Sequence, residues 1–303
     1  MSQLLILAVS GFVAQLIDGA LGMGYGVTST TLLLTLGLAP ATVSASVHAG
    51  EVVTTLVSGI AHWRFGNVDR AVVWRLALPG AIGAFAGAFV LSSLPVALAR
   101  PLVSAFLLAL GVTVLIRFAR PPAPSRRRPP RYSPRFLTLL GLVAGFFDAT
   151  GGGGWGPIST STLLAGRESD ARKVIGSVDA SEFLVALSAT AGFTLSLGWQ
   201  GINATGALAL VIGGIFAAPL AAWAVRMLPT QVLGIAVAAM ILLSNGRTLL
   251  SSFGIEVPVF LMLAGPAAAL AVALLQARWR RLARERAAAP MVQSSTHDAG
   301  SES

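Results

Sequence analysis

Residues Gly11–Leu33 read GFVAQLIDGALGMGYGVTSTTLL, and residues Gly141–Leu163 read GLVAGFFDATGGGGWGPISTSTL. The two stretches align without a gap, and 10 of their 23 positions are identical. With one residue added in the following loop, the motif SVHAGE at 46–51 also matches SVDASE at 177–182. Repetition at a near-constant separation along a chain indicates an internal duplication. We therefore expect a fold made of two related halves.

The composition places both halves in a membrane. Hydrophobic residues make up 55% of the chain and charged residues only 11%, whereas a soluble domain carries about 25% charged residues. A transmembrane helix needs about 20 mostly apolar residues. Candidate spans of this kind lie at 44–63, 71–92, 97–117, 174–197, 203–225, 231–250 and 257–277, and two further apolar stretches, 3–38 and 136–165, are interrupted by glycine. We predict an all-α polytopic membrane protein.

The chain divides at a Pro/Arg-rich segment, which cannot continue a helix and is typical of an exposed linker. The predicted order is a first membrane repeat at 1–118, a basic cytoplasmic linker at 119–135, a second membrane repeat at 136–250, an extra transmembrane helix with a basic end at 251–286, and a disordered polar tail at 287–303. The extra helix has no counterpart in the first half.

Small and aromatic residues predict how the helices pack and where they end. Gly83 and Gly87, like Gly141 and Gly145, have the GxxxG spacing that lets two helices approach closely. Three tryptophans, Trp63, Trp74 and Trp199, lie at predicted span ends, where this residue anchors helices at the membrane surface.

The arginines and lysines predict the orientation of the two halves, because these residues accumulate in cytoplasmic loops. If each glycine-broken stretch crosses the membrane once, the 21 cationic residues divide 11 to 10 between the two sides. If each stretch instead enters and returns to the side where it began, 19 lie inside, and only Arg100 and Arg247 lie outside. This second arrangement predicts re-entrant hairpins, two inverted halves, an external N-terminus and a cytoplasmic C-terminus in a bacterial inner membrane.

Equivalent glycine runs interrupt the two broken stretches. Inverted repeats with broken helices are typical of transporters that bind substrate near the bilayer midplane, and helix N-termini attract anions. The alternative is a helix contact whose hydroxyls bond back to their own turn; the symmetry of the two breaks favours a binding site. The predicted donor cradle comprises Gly22, Gly24, Gly26, Thr28, Ser29 and Thr30 in the first run, and Gly152, Gly154, Gly156, Ser159, Thr160 and Ser161 in the second.

Ionisable residues inside membrane segments are costly and usually functional. Asp18 and Asp148 each come four residues before a break. Glu51 and Glu182 end the two matching motifs. His48 and Asp179 come three residues before those glutamates, a spacing that places each pair on one helix face. Carboxyl groups and histidine can relay protons. The alternative is that the acids cap helices or, for Asp179, lie in a loop. The proton-coupling candidates are Asp18, Asp148, His48, Glu51, Asp179 and Glu182.

Several other function classes are disfavoured by the sequence. The chain has no cysteine, which removes thiol redox chemistry and thiolate metal sites. The net charge of +9 arises mainly beside hydrophobic spans, which indicates membrane anchoring rather than nucleic-acid binding. The motifs HExxH, GxSxG and GxxxxGK[ST] are absent. We therefore expect no enzyme activity, no metal and no cofactor.

The repeated segment with Asp18 and its glycines, the SV-x-A-x-E motif and the Leu-Pro turns at Leu94 and Leu228 resemble the TauE/SafE family of sulfite and organosulfonate exporters. The resemblance covers roughly residues 5–250. It implies transport of a small anion, with sulfite, sulfoacetate or a related sulfur compound as the substrate class. The second glycine run is longer than the first, and Asp179 stands where the first half has His48. The two half-sites therefore differ. The alternative is a membrane protein with an assembly or structural role.

Overall fold

The computed structural model describes residues 2–21, 24–119, 132–165, 171–202, 204–227 and 230–257. Every regular secondary-structure element in these residues is a helix. The first half contains α1 (Ser2–Leu21), α2 (Tyr25–Thr35), α3 (Pro40–Arg64), α4 (Arg70–Ser93) and α5 (Val96–Ala119). The second contains α6 (Pro134–Gly151), a π-helical turn (Gly156–Thr160), α7 (Ser161–Ala165), α8 (Ala171–Leu197), a 3-10 turn (Trp199–Gly201), α9 (Ala204–Met227) and α10 (Thr230–Ser252).

The helices confirm the prediction of an all-α membrane protein. Within the described residues, four helices are long and apolar enough to cross a membrane: Pro40–Arg64, Arg70–Ser93, Val96–Ala119 and Lys173–Leu197. Six of the seven predicted spans correspond to α3, α4, α5, α8, α9 and α10. The seventh, at 257–277, lies almost entirely outside the described residues, as do the polar tail and most of the linker. Both broken stretches do separate into two helical pieces.

The halves pack against each other reciprocally, so that helices in equivalent sequence positions have equivalent partners. Helix α1 packs along α9, and α6, the counterpart of α1, packs along α4, the counterpart of α9. The predicted GxxxG contacts occur in the second of these pairs. A Cβ atom at Gly145 would meet the backbone of Gly80, and one at Gly83 would meet the backbone of Leu142. Glycine at these positions therefore lets the two helix backbones touch.

Two other pairs bring a helix into contact with its own counterpart. In the α3–α8 pair, Gly59 lies against Ala180, and Gly176 lies against His62. The residue numbers rise along one helix as they fall along the other, so α3 and α8 are antiparallel. Helices α5 and α10 are antiparallel as well, since Gly111 contacts Leu242 and Gly246 lies nearest Leu108.

A hydrogen bond joins the two ends of the second broken stretch. Tyr132 precedes α6, and its hydroxyl donates a hydrogen bond of 2.6 Å to the carbonyl of Leu163 in α7. In the first half, the Arg100 guanidinium donates to the carbonyl of Gly37, which follows α2, at 3.0 Å. These two contacts fix the ends of the broken segments against neighbouring elements of the bundle.

Candidate functional site

The two breaks meet in the interior of the protein. Gly24, Gly152 and Gly153 have φ angles of 118°, 69° and 145°, values at which a side chain is strained. A Cβ atom at Gly153 would also collide with the backbone of Gly26. The hydroxyl of Thr30 donates a hydrogen bond to the carbonyl of Gly152. The breaks therefore contact each other directly, backbone against backbone, and glycine is required for this approach.

Each break is capped by the aspartate that precedes it. Asp18 accepts a hydrogen bond of 3.2 Å from the backbone N–H of Tyr25 at the start of α2. Asp148 accepts bonds of 2.6 Å from the N–H of Gly154 and 2.9 Å from that of Trp155. The capping alternative considered for these acids is thus realised. Part of the predicted backbone donor set is occupied by side chains of the protein itself.

A second hydrogen-bonded group joins Asp148 to the SVHAGE motif of the other half. His48 Nε2 lies 3.1 Å from Asp148 Oδ2 and 3.9 Å from Glu51 Oε2, and all three side chains are buried. His48 Nδ1 lies 2.7 Å from the carbonyl of Ser44. A carbonyl only accepts hydrogen bonds, so Nδ1 carries a proton. The contact between Nε2 and Asp148 Oδ2 is the second hydrogen bond of this imidazole.

The equivalent position in the second half has a different chemistry. Asp179 lies within α8, so the alternative that it occupies a loop is wrong. Together with Asp18 and Glu182 it lines two small polar cavities, and Asp148 lines the larger of them. One half-site therefore pairs an imidazole with a carboxyl group, whereas the other brings carboxyl groups together.

The larger cavity lies between the breaks and has a volume of about 20 Å³, which is room for about one water molecule. Gly24, Gly26, Gly154, Gly156 and Thr160 of the predicted cradle line it. The smaller cavity, about 10 Å³, includes Glu51. An oxyanion is larger than a water molecule, so the described residues would have to move apart to admit one.

The hydroxyls of the predicted cradle differ in their bonding. Those of Thr28, Ser159 and Thr160 are buried and have no hydrogen-bond partner in the described part of the chain. The packing alternative requires these hydroxyls to donate hydrogen bonds to carbonyls of their own helical turn. They make no such bonds. Ser29 is likewise buried in α2, and Ser161 begins α7. Gly22 lies outside the described residues.

Sequence reasoning missed two aromatic residues at the site. Tyr25 and Trp155 occupy equivalent positions after the glycines and both line the larger cavity. Trp155 is fully buried, and its indole N–H donates to the carbonyl of Val178 in α8 at 3.0 Å. The signal was an aromatic residue in the same place in both repeats. Among the described residues, no group of acids and histidines is arranged to hold a metal ion.

Comparison with known proteins confirms the resemblance seen in the sequence. The family model described as Sulfite exporter TauE/SafE matches residues 7–248. A Bacillus subtilis protein with the name "Probable membrane transporter protein YtnM" is 51% identical over 255 residues, which cover 84% of this chain and 85% of that protein. No solved structure matches the chain.

The two aspartate caps are expected to differ in their effect on stability. Asp148→Ala removes two buried N–H contacts and the contact to His48, whereas Asp18→Ala removes one N–H contact. We expect losses of about 3 kcal/mol and about 1 kcal/mol in the free energy of unfolding. Unfolding of the full chain in mild detergent measures both. Equal losses would contradict the conclusion that Asp148 stabilises its break through more hydrogen bonds than Asp18 does.

Proposed function

Because the chain belongs to the TauE/SafE sulfite exporter family, we propose that it carries a small anion, sulfite or an organosulfonate or related sulfur compound, across the cell's inner membrane by alternating access. The observation that carries this proposal is the meeting of two broken helices around a buried polar cavity. Non-helical backbone at membrane depth is tolerated only where protein buries it or where it lines a cavity. The direction of transport follows the gradients, because alternating access is reversible.

Inverted halves are a common architecture of transporters that work by this mechanism. In a two-fold repeat, a helix that runs antiparallel to its own counterpart is related to it by an axis perpendicular to the helices. The antiparallel pairs α3–α8 and α5–α10 support such an axis in the membrane plane. The bond between Tyr132 and Leu163 supports a re-entrant second stretch, and charge placement supports a cytoplasmic C-terminus.

The closed cavity represents an occluded arrangement in this proposal. Admission of an anion requires the two breaks to separate, and the first contacts to change are those between them. The hydrogen bond from Thr30 to Gly152 crosses this boundary. Its equivalent in the repeat, Thr160, has a free hydroxyl at the cavity. We assign Thr160 as a substrate donor and Thr30 as a contact that holds the breaks together.

The charges around the cavity favour proton coupling. Asp18, Asp148, Asp179 and Glu182 line the space in which the anion would bind. Ionised carboxylates repel an anion, and this repulsion is strong in an apolar environment. A proton taken up with the substrate removes a negative charge and supplies a hydrogen-bond donor. The side chains of His48 and Asp148 are hydrogen-bonded, and Asp148 lines the cavity, so we assign this pair as the relay.

The donor role of Thr160 can be separated from a structural role. Thr160→Val removes a hydroxyl without a partner, so the free energy of unfolding should be unchanged or slightly higher. Transport of radiolabelled sulfite into proteoliposomes should show a KM raised about tenfold, because a hydrogen bond to an anion is lost. The matched control is Thr30→Val, which removes a hydroxyl that is bonded to Gly152.

Thr30→Val should lower the free energy of unfolding by about 1 kcal/mol. A second control, Thr113→Val, removes an exposed hydroxyl on α5 and should leave KM unchanged. Normal transport by the Thr160 variant would place the substrate elsewhere. Absence of sulfite and sulfonate transport by the folded wild-type protein would favour an assembly or structural role.

The proton-coupled model also predicts a pH dependence of binding. If one proton binds with the anion, affinity rises as pH falls, by up to about tenfold per pH unit. Methanesulfonate is a suitable radiolabelled probe because it stays ionised over the whole range. Asp148→Asn, which alters the assigned relay, should still bind it but lose the pH dependence, whereas Glu51→Gln and Glu182→Gln should slow transport. The control Glu256→Gln changes an exposed acid. Wild-type pH profiles in all variants would leave these acids as caps only.

A further inference from the structure

A third cavity is an open groove on the outer surface of the bundle, between α3, the start of α4, and α8. Its volume is about 380 Å³, within the range of small-molecule sites. Its walls are almost entirely apolar. Among the described residues they comprise Thr55, Leu56, Gly59, Ile60, Trp63, Val68, Val73, Trp74, Ala180, Phe183 and Leu184, with Arg70 as the one charged residue.

Glycine and alanine shape the floor of this groove. Gly59 of α3 lies against Ala180 of α8, so no large side chain fills the space between the helices. Leu56 and Ile60 are exposed along its edge. These helices cross the membrane, and an exposed apolar channel along them is a surface for hydrocarbon rather than for water.

Arg70 lies at one end of the groove in a fixed position. Its guanidinium carbon is 4.8 Å from the centre of the Trp63 ring, a cation–π contact. In the described part of the chain it makes no hydrogen bond or ion pair, so its N–H groups are available to a ligand. The neighbouring Asp69 uses its carboxylate to cap α4, where it accepts from the N–H groups of Ala71 and Val72.

The surroundings of Arg70 have the character of a membrane surface. Trp63 and Trp74 are both exposed at this end of the groove, and tryptophan is enriched at the level of lipid headgroups. Lys173 adds a second cation nearby, since its ammonium group donates to the carbonyl of Val68 at 3.1 Å. None of the described residues that line the groove is acidic.

We propose that this groove binds an anionic phospholipid, with an acyl chain along the apolar walls and the phosphate on Arg70. The geometry joins a hydrocarbon channel to a planar cation that can bind a phosphate through two N–H groups. The site is separate from the transport cavity, although Thr55 lines both the groove and the polar cavity beside Glu51. A bound lipid therefore contacts the outer wall of the transport site.

Native mass spectrometry of the delipidated full chain tests this proposal. Phosphatidylglycerol and phosphatidylcholine with identical acyl chains are compared as probes. We expect wild-type protein to bind phosphatidylglycerol about fivefold more tightly, the effect of one arginine on an anionic lipid. Arg70→Gln should abolish that preference. The matched control is Arg75→Gln, which removes an exposed cation from the same helix but outside the groove, and should keep the preference within twofold.

A second variant tests the hydrocarbon part of the site. Leu56→Trp places a larger side chain at the exposed edge and should weaken both lipids at least threefold. The unfolding temperature of each variant without lipid serves as the folding control. Equal binding of the two lipids to wild-type protein, or equal effects of Arg70→Gln and Arg75→Gln, would overturn the proposal. The proposal would also be overturned if the wild-type protein is a dimer that Leu56→Trp dissociates but phosphatidylglycerol does not. The groove would then hold a second copy of the chain.

Discussion

The lack of water in the bilayer interior is the constraint on which this structure depends. A helix that breaks there exposes N–H and carbonyl groups, and the protein must satisfy them itself. Here Asp18 and Asp148 accept from the N–H groups at the two breaks, and Thr30 of one break donates to Gly152 of the other. The same backbone that could bind a substrate is thereby held in a closed form, by groups that can exchange partners.

Capping the breaks with aspartates places carboxyl groups where an anion is expected to bind. An ionised carboxylate repels an anion, and the other residues of the site have to be understood against this repulsion. A carboxylate that caps a helix in water is inexpensive, but one inside a membrane needs a partner or a proton. His48 is such a partner for Asp148, across the boundary between the halves. The counterpart position holds Asp179, near Asp18 and Glu182. The two repeated motifs thus carry different ionisable residues at this position, His48 in the first and Asp179 in the second.

Much of the fold was predictable from the sequence, because hydropathy, glycine spacing and repetition are local signals. The spans α3, α4, α5 and the α4–α6 glycine contacts were expected and are present. The bonding within the site was not predictable in the same way. The contact between Asp148 and His48 depends on packing between segments about 100 residues apart. The same is true of the difference between Thr30, whose hydroxyl is bonded, and Thr160, whose hydroxyl is free. Sequence spacing carries no information about such contacts.

The central claim is that an anion binds where the two breaks meet. Anomalous diffraction from the full chain crystallised with selenite tests it most directly, because selenite resembles sulfite and selenium can be located by its own scattering. The account predicts one peak in the cavity lined by Gly24, Gly154 and Thr160, accompanied by separation of Gly26 from Gly153. Selenite bound only outside this cavity, or absent from it at saturating concentration, would contradict the account.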